Sequence, residues 1–265
     1  MLIADRQLEA IAAEKGSIYT GLDETGVAVF NADDPWAKLW RSQCRGLRMM
    51  TFGFEQAADV TGKFHLHGLE SRLSLFTPDG QADVVLALPG QHNARNALAA
   101  ATAALAAGIS LTAVQAGLSA FRGLKGRLQR RAALHGAVLL DDTYNANPDS
   151  VRAGIDVLAA TIGKKILVLG DMGEIGEMSA QFHDEIGGYA KSQGIDRLLA
   201  LGEASALAAH NFGSGGEHHH SIDRLVASLT AELTPETTVL VKGSRFMRME
   251  RVADALAVPS PAEGE

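Results

Sequence analysis

The sequence predicts an α/β protein of two domains, the second built on a mostly parallel sheet. Beyond residue 126, short apolar runs alternate with helical segments, the signature of a parallel sheet covered on both faces. Residues 45–88 read differently, as closely spaced β runs around a Thr77-Pro78-Asp79-Gly80 turn. The 265 residues, 46% apolar and 21% charged, fit one large or two ordinary globular domains and can bury a core.

Taken in order, the spacing predicts a helix over 4–13, where Ile3, Leu8, Ile11 and Ala12 recur at roughly helical intervals before Gly16. A buried strand follows at 27–30, closed by Asn31-Ala32-Asp33-Asp34-Pro35. The β runs at 48–52, 64–66, 72–76 and 84–88 predict a small meander. Two helices come next, 93–107 and 111–121, separated at Gly108. The glycine-flanked stretch 123–126 reads as a hinge, which divides the chain into domains 1–125 and 126–265. The second domain then predicts strands at 137–140, 165–169, 197–201 and 238–242. Helices are predicted at 150–160, 179–192, 204–211, 221–231 and 247–256, and a polar, frayed tail at 259–265.

Composition removes several function classes. A net charge of −7 opposes non-specific nucleic-acid binding. A single cysteine, Cys44, excludes an internal disulfide and a cysteine zinc cluster, and reads as a core residue. No apolar run reaches the ~18–20 residues a membrane span needs, and the first residues lack the apolar stretch of a secretory signal. The expectation is a cytoplasmic protein with no membrane partner.

Five polar segments carry candidate chemistry. In Asp141-Asp142-Thr143-Tyr144-Asn145-Ala146-Asn147-Pro148, an apolar strand runs into acids and amides before a helix. Ligands in open α/β sheets bind outside the carboxyl ends of strands, where a carboxylate can hold a ribose hydroxyl or magnesium. The alternative is a polar loop with Asp149 or Ser150 capping the helix. Asn93 and Asn96 lie three apart, on one face of a starting helix, where amides can meet a nucleobase edge; capping by Asn93 is the alternative. Arg127, in Gly126-Arg127-Leu128, could reach an anion from the hinge, or belong to a solvated linker. Lys242-Gly243-Ser244-Arg245 forms a possible carboxylate-binding corner, with helix capping by Ser244 as the alternative. Gly170-Asp171-Met172-Gly173-Glu174 is glycine-rich, but its spacing and two acids disfavour a dinucleotide pyrophosphate. His218-His219-His220 reads as a solvated loop, and no G-x-x-x-x-G-K-[ST] phosphate cradle occurs anywhere.

Together these strings resemble the Mur ligases of peptidoglycan synthesis. Glu14-Lys15-Gly16-Ser17-Ile18-Tyr19, Asn31-Ala32-Asp33-Asp34, the run from Pro89 to Ala99, Gly126-Arg127, the run from Asp141 to Pro148, Gly170-Asp171-Met172 and Val241-Lys242-Gly243-Ser244-Arg245 appear in family order. The likeness is greatest to members that add D-alanyl-D-alanine to UDP-N-acetylmuramoyl-tripeptide. It implies part of a P-loop-type ATPase domain followed by a Rossmann-like C-terminal domain. It also implies an ATP-dependent reaction through an acyl-phosphate and a tetrahedral intermediate.

By position, Lys15 matches a lysine carbamylated to help hold Mg2+, and Asn93 and Asn96 the adenine-side amides. Arg127 matches a phosphate-contacting arginine and Asp142 a ribose-contacting acid. Asn145, Asn147, Ser244 and Arg245 fall where the dipeptide docks. Family members carry a UDP-sugar domain and the phosphate loop ahead of the Lys15 string, so the resemblance implies an N-terminally truncated chain. Two expectations follow: the isolated 265 residues lack ligase activity, and residues 127–258 fold alone while 1–120 are marginal or self-associate. An inactive remnant that binds nucleotide or D-Ala-D-Ala is the alternative.

Overall fold

The computed structural model describes residues 2–258, with side chains from residue 8 onward. The tail predicted at 259–265 and the side chain of Ile3 lie outside the described residues. The chain divides into two compact units, one formed by most of the residues up to 121 and one by residues from 122, together with 66–70 and 88–90. Among the described residues no helix is long and apolar enough to cross a membrane.

In the first unit the elements are α1 (Leu2–Gly16), β1 (Val27–Asn31), α2 (Ala37–Gln43), β2 (Arg48–Gly53), β3 (Val60–His67), β4 (Glu70–Thr77), β5 (Gly80–Leu86), α3 (Gln91–Ala106) and α4 (Leu111–Ala120). They build one five-stranded sheet in the order β1-β2-β3-β4-β5. The meander expected over 45–88 is corrected: β2 pairs with β3 in parallel, and a hairpin forms between β4 and β5. Gly62 hides the start of β3 from an apolar reading. A Cβ there would lie 2.9 Å from Leu73 Cδ1, so the strand needs a residue without a side chain. Leu73 and Leu75 alternate on β4 with the exposed Arg72 and the half-buried Ser74 and Phe76, and pack with Val60, Val84 and Leu86 against Ala94, Ala97, Leu98 and Ala101 of α3. The small alanines let helix and sheet approach closely. Cys44 lies in a separate small core with Ala28 and Phe30, and burial pushes its thiol up. The stripe predicted on α1 is not a buried face. Of its described members, Leu8 and Ile11 are exposed and Ala12 is buried, with its carbonyl accepting from Trp40 Nε1 at 2.9 Å.

The second unit holds β6 (Gln129–Ala132), β7 (Val138–Asp142), α5 (Pro148–Ala159), β8 (Lys164–Gly170), α6 (Ser179–Ser192), β9 (Arg197–Leu201), α7 (Ser205–Phe212), β10 (Gly216–His219), α8 (Ile222–Thr230), β11 (Thr237–Lys242) and α9 (Glu250–Leu256). Its six strands run β10-β9-β8-β11-β7-β6, all parallel except the edge strand β6. Strand residues divide strictly by parity. Leu140, Leu167, Leu169, Leu198 and Leu240 face a core with α5, α6 and α7. Leu139, Ile166, Val168, Leu199 and Val239 face one with α8 and α9. Each such side chain contributes about 1.5–3 kcal/mol by burial. The α/β class and the mostly parallel second sheet are as the sequence predicts.

Candidate functional site

In the second unit, parallel pairing sets Asp142, Lys242 and Leu169 in one row, at the carboxyl ends of β7, β11 and β8. The three loops that leave these ends are bound to one another. Side chains alternate along β7, so its two terminal acids face different partners. Asp141 is buried, bonded to Arg131 Nη1 at 3.0 Å and to Thr143 Oγ1 at 2.7 Å. Asp142 receives Lys242 Nζ at 2.6 Å on Oδ2 and the Leu128 amide at 3.1 Å on Oδ1. Lys242 also donates to the Asn145 carbonyl at 2.9 Å and is only 2% exposed. Each carboxylate oxygen of Asp142 keeps a lone pair for a further donor.

The segment entering from residue 126 lies on the same loop. Gly126 accepts from the Tyr144 amide at 2.9 Å; its φ is +74°, and a Cβ would meet that nitrogen at 3.1 Å. The next residue, Arg127, sets its guanidinium 4.2 Å from the centre of the half-exposed Tyr144 ring. A stacked, exposed guanidinium with its donors outward is suited to an oxyanion. Leu128 then takes φ +53° and buries its side chain.

Ser244 ties in the third loop. Its hydroxyl accepts from the Gly173 amide at 2.7 Å and donates to the Ala146 carbonyl at 3.0 Å, while its own amide donates to the Asp171 carbonyl at 3.0 Å. Ser244 does occupy the N-cap position of a short helical turn, the alternative reading, but its side chain makes no cap bond there. Asn147 is the N-cap of α5, closing a capping box with Ser150 ahead of Pro148; Asp149 and Ser150 are not the cap. Asn145 Oδ1 accepts from the Ala146 amide at 2.9 Å. Arg245 is exposed and reaches Glu250 at 3.4 Å. The structure thus joins the loops that carry Arg127, Asp142, Asn145 and Ser244, whereas the side chains of Asn147 and Arg245 turn to Ser150 and Glu250.

The remaining candidates belong to the first unit. Helix α3 begins at Gln91, so Asn93 is inside the helix and does not cap it; Asn93 and Asn96 share a face of its opening turns. Lys15 is exposed in the last turn of α1. Among the described residues no three or more His, Cys, Asp or Glu side chains stand close enough to hold a metal. A carbamate on Lys15 would supply one oxygen ligand to Mg2+, and no cluster of three further acidic, histidine or cysteine ligands stands among the described residues.

Three contributors escape the sequence reading. Lys242 stands inside a flagged string, but nothing in the string distinguishes a buried partner for Asp142 from a ligand. His183 looks like any helical histidine, yet its Nε2 accepts from the Met172 amide at 2.9 Å. His218 and His219 lie in the edge strand β10, not in the solvated loop expected, and His220 follows it exposed. His218 bonds the Gly202 carbonyl at 2.8 Å, and His219 is only 7% exposed. His219 Nε2 finds no hydrogen bond among the described residues and sits 3.5 Å from Glu217 Oε1.

Burial holds the His219 pKa below its ordinary value, against the opposing pull of Glu217. The unfolded chain therefore takes up this proton first as pH falls through the ordinary histidine range. The stabilising contribution is complete above that range and is lost on acidification, at no more than about 1.4 kcal/mol per pH unit. His219→Gln should flatten the decline in urea midpoint between pH 7.5 and 5.5; an unchanged decline would show that other groups drive it.

With this geometry in place, the comparisons with known proteins are informative. The Mur ligase middle domain matches residues 6–104, and the Mur ligase, glutamate ligase domain matches residues 126–245. The chain is similar to the UDP-N-acetylmuramoyl-tripeptide–D-alanyl-D-alanine ligase of Escherichia coli (strain K12), 39% identical over 94% of this chain and 56% of that protein. It is 36% identical to the ligase of the same description from Haemophilus influenzae, over 94% of this chain and 55% of that one. In three dimensions it is similar to MurF from Acinetobacter baumannii, with a TM-score of 0.84 at 32% identity, covering 93% of this chain and 55% of that one. MurF ligase from Thermotoga maritima, solved in complex with ADP, aligns with a TM-score of 0.74 at 25% identity over 88% of this chain and 53% of that one. The chain spans about half the length of the curated relatives it matches. With two domain models matched in family order and their folds reproduced, the chain belongs to the Mur ligase family, of which it carries the middle and the C-terminal, glutamate ligase domains.

Proposed function

We propose that this chain is the later part of an ATP-dependent ligase that joins D-Ala-D-Ala to UDP-N-acetylmuramoyl-tripeptide in peptidoglycan synthesis, in the cytoplasm. Residues 1–125 are the later part of its ATPase domain and residues 126–265 its acceptor-binding domain. The observation that carries the reading is the junction of four flagged strings, 126–127, 141–147, 170–173 and 242–245, at three adjacent strand ends. The relatives' printed names supply the substrates, and the ADP in one of them supports a nucleotide.

Under this reading, the residues of the second unit have roles their surroundings suit, and those of the first unit have the roles the resemblance implies. Asp142, fixed by Lys242 and the Leu128 amide, offers its remaining lone pairs to ribose hydroxyls. Arg127, braced on Tyr144, takes a phosphate oxygen and stabilises charge as the phosphoryl group leaves. Asn93 and Asn96 take the adenine-side role, and Lys15 the lysine role named above. Asn145, Asn147 and Ser244 shape the corner for the dipeptide, and Arg245 offers its exposed cation to the carboxylate. The dipeptide amine attacks the acyl carbon, and phosphate leaves.

The 265 residues contain no phosphate-cradling glycine loop, and holding the transferring phosphoryl group requires one. The chain alone should bind D-Ala-D-Ala in a calorimetric titration. It should release no phosphate when given ATP, Mg2+, the nucleotide-linked tripeptide and the dipeptide. Turnover by these residues alone would refute the need for a cradle. Absence of dipeptide binding would refute this reading, and absence of nucleotide binding as well would refute the alternative of an inactive remnant that binds either ligand.

A further inference from the structure

The helix α6 carries a fully buried histidine that no step above uses. His183 is 0% exposed; its ring nitrogens face the Met172 amide and the Ser179 carbonyl, with Ser179 Oγ 3.4 Å from Nδ1. Nε2 lies 2.9 Å from the Met172 amide, which can only donate, so Nε2 holds the lone pair. Nδ1 then carries the proton and donates to the Ser179 carbonyl at 2.7 Å. A single neutral tautomer satisfies both contacts, and the ring bridges the start of α6 to the turn that leaves β8.

That turn is the one fastened to Ser244. Immediately before Met172, the Asp171 carbonyl receives the Ser244 amide; immediately after it, the Gly173 amide donates to Ser244 Oγ. Ser244 Oγ in turn donates a hydrogen bond to the Ala146 carbonyl, between Asn145 and Asn147. Met172 itself is buried in the core, so fixing its amide fixes both flanking contacts. We propose that His183 is a positioning residue for the dipeptide corner, holding the Asp171–Gly173 turn through the Met172 amide and so aiming Ser244 at the Asn145–Asn147 loop. This rests on the reading of that corner as the D-Ala-D-Ala site.

A histidine kept for packing alone would be replaced adequately by leucine. A positioning acceptor would not, because leucine leaves the buried Met172 amide without a partner. Glutamine places its carbonyl oxygen near the Nε2 position and restores the acceptor. Asparagine is too short to reach it and provides a second loss variant should leucine fail to fold. The test measures amide exchange at Met172 and Gly173, and D-Ala-D-Ala affinity by calorimetry, in the 265-residue chain. His183→Leu or His183→Asn should speed exchange at both amides at least tenfold and weaken the dipeptide about tenfold. His183→Gln should keep both close to wild type. Equal behaviour of the leucine and wild-type proteins overturns the proposal. So does equal loss in leucine and glutamine variants, which would mark a packing role. A wild-type chain that takes up no dipeptide overturns the functional reading instead, while the exchange comparison still decides whether His183 holds the turn.

Discussion

On the proposed reading, Lys242→Met should lower the unfolding free energy by about 3 kcal/mol and remove nucleotide binding. Methionine keeps most of the lysine stem's volume, so the packing loss is small. What is lost is the cation beside Asp142, at 2.6 Å, and the donor to the Asn145 carbonyl, at 2.9 Å. Removing one partner from a buried ion pair leaves the other charge uncompensated, which typically costs about 3–5 kcal/mol. The lower end applies because the Asp142 side chain retains 17% exposure against 3% for Lys242. The double variant Lys242→Met, Asp142→Leu should recover most of the stability and none of the nucleotide binding. Urea unfolding of the single and double variants checks this. A loss under about 1 kcal/mol in Lys242→Met would mean that Asp142 rehydrates and that the pair does not order the loop.

The strands were the most legible part of the chain for a physical reason. Residues 166–169 and 198–201 are buried on both faces, so every position is apolar and the runs stand out against the intervening helices. Edge strands are chemically the opposite. Strand β6 reads Gln-Arg-Arg-Ala and β10 reads Gly-Glu-His-His, polar sequences that guard an open edge and imitate loops. The site was legible as strings but not as contacts. Adjacent acids at 141 and 142 look equivalent in sequence; the strand pleat sends one to Arg131 and the other to Lys242, 100 residues away. His183 and Met172 are 11 residues apart, and the bond between them depends on how the turn after β8 folds back onto α6. No local pattern encodes that return. The stripe on α1 misled because helical spacing reports an amphipathic face without saying what covers it.

The same network explains why a glycine beyond β9 should tolerate no side chain. Gly202 has φ +126°, outside the range that L residues adopt comfortably, and a Cβ there would lie 2.3 Å from Asp171 Oδ1. The carboxylate cannot swing aside without cost, because that oxygen accepts the Ser205 amide at 2.7 Å and so caps the first turn of α7. The Asp171 backbone is also fixed by Ser244. Gly202→Ala should therefore add a backbone strain of about 1–3 kcal/mol to the loss of a cap worth about 1 kcal/mol, and displace Asp171 from the corner. Gly194→Ala is the internal control: its φ is +74° and nothing lies within 4 Å of the added atom, so it reports strain alone. Thermal unfolding should rank Gly202→Ala well below Gly194→Ala, and only the former should weaken D-Ala-D-Ala binding. If the two variants fall equally, backbone strain accounts for the whole effect and the carboxylate of Asp171 has room to move. In that case the turn is softer than its bonds to Ser205, Ser244 and His183 require.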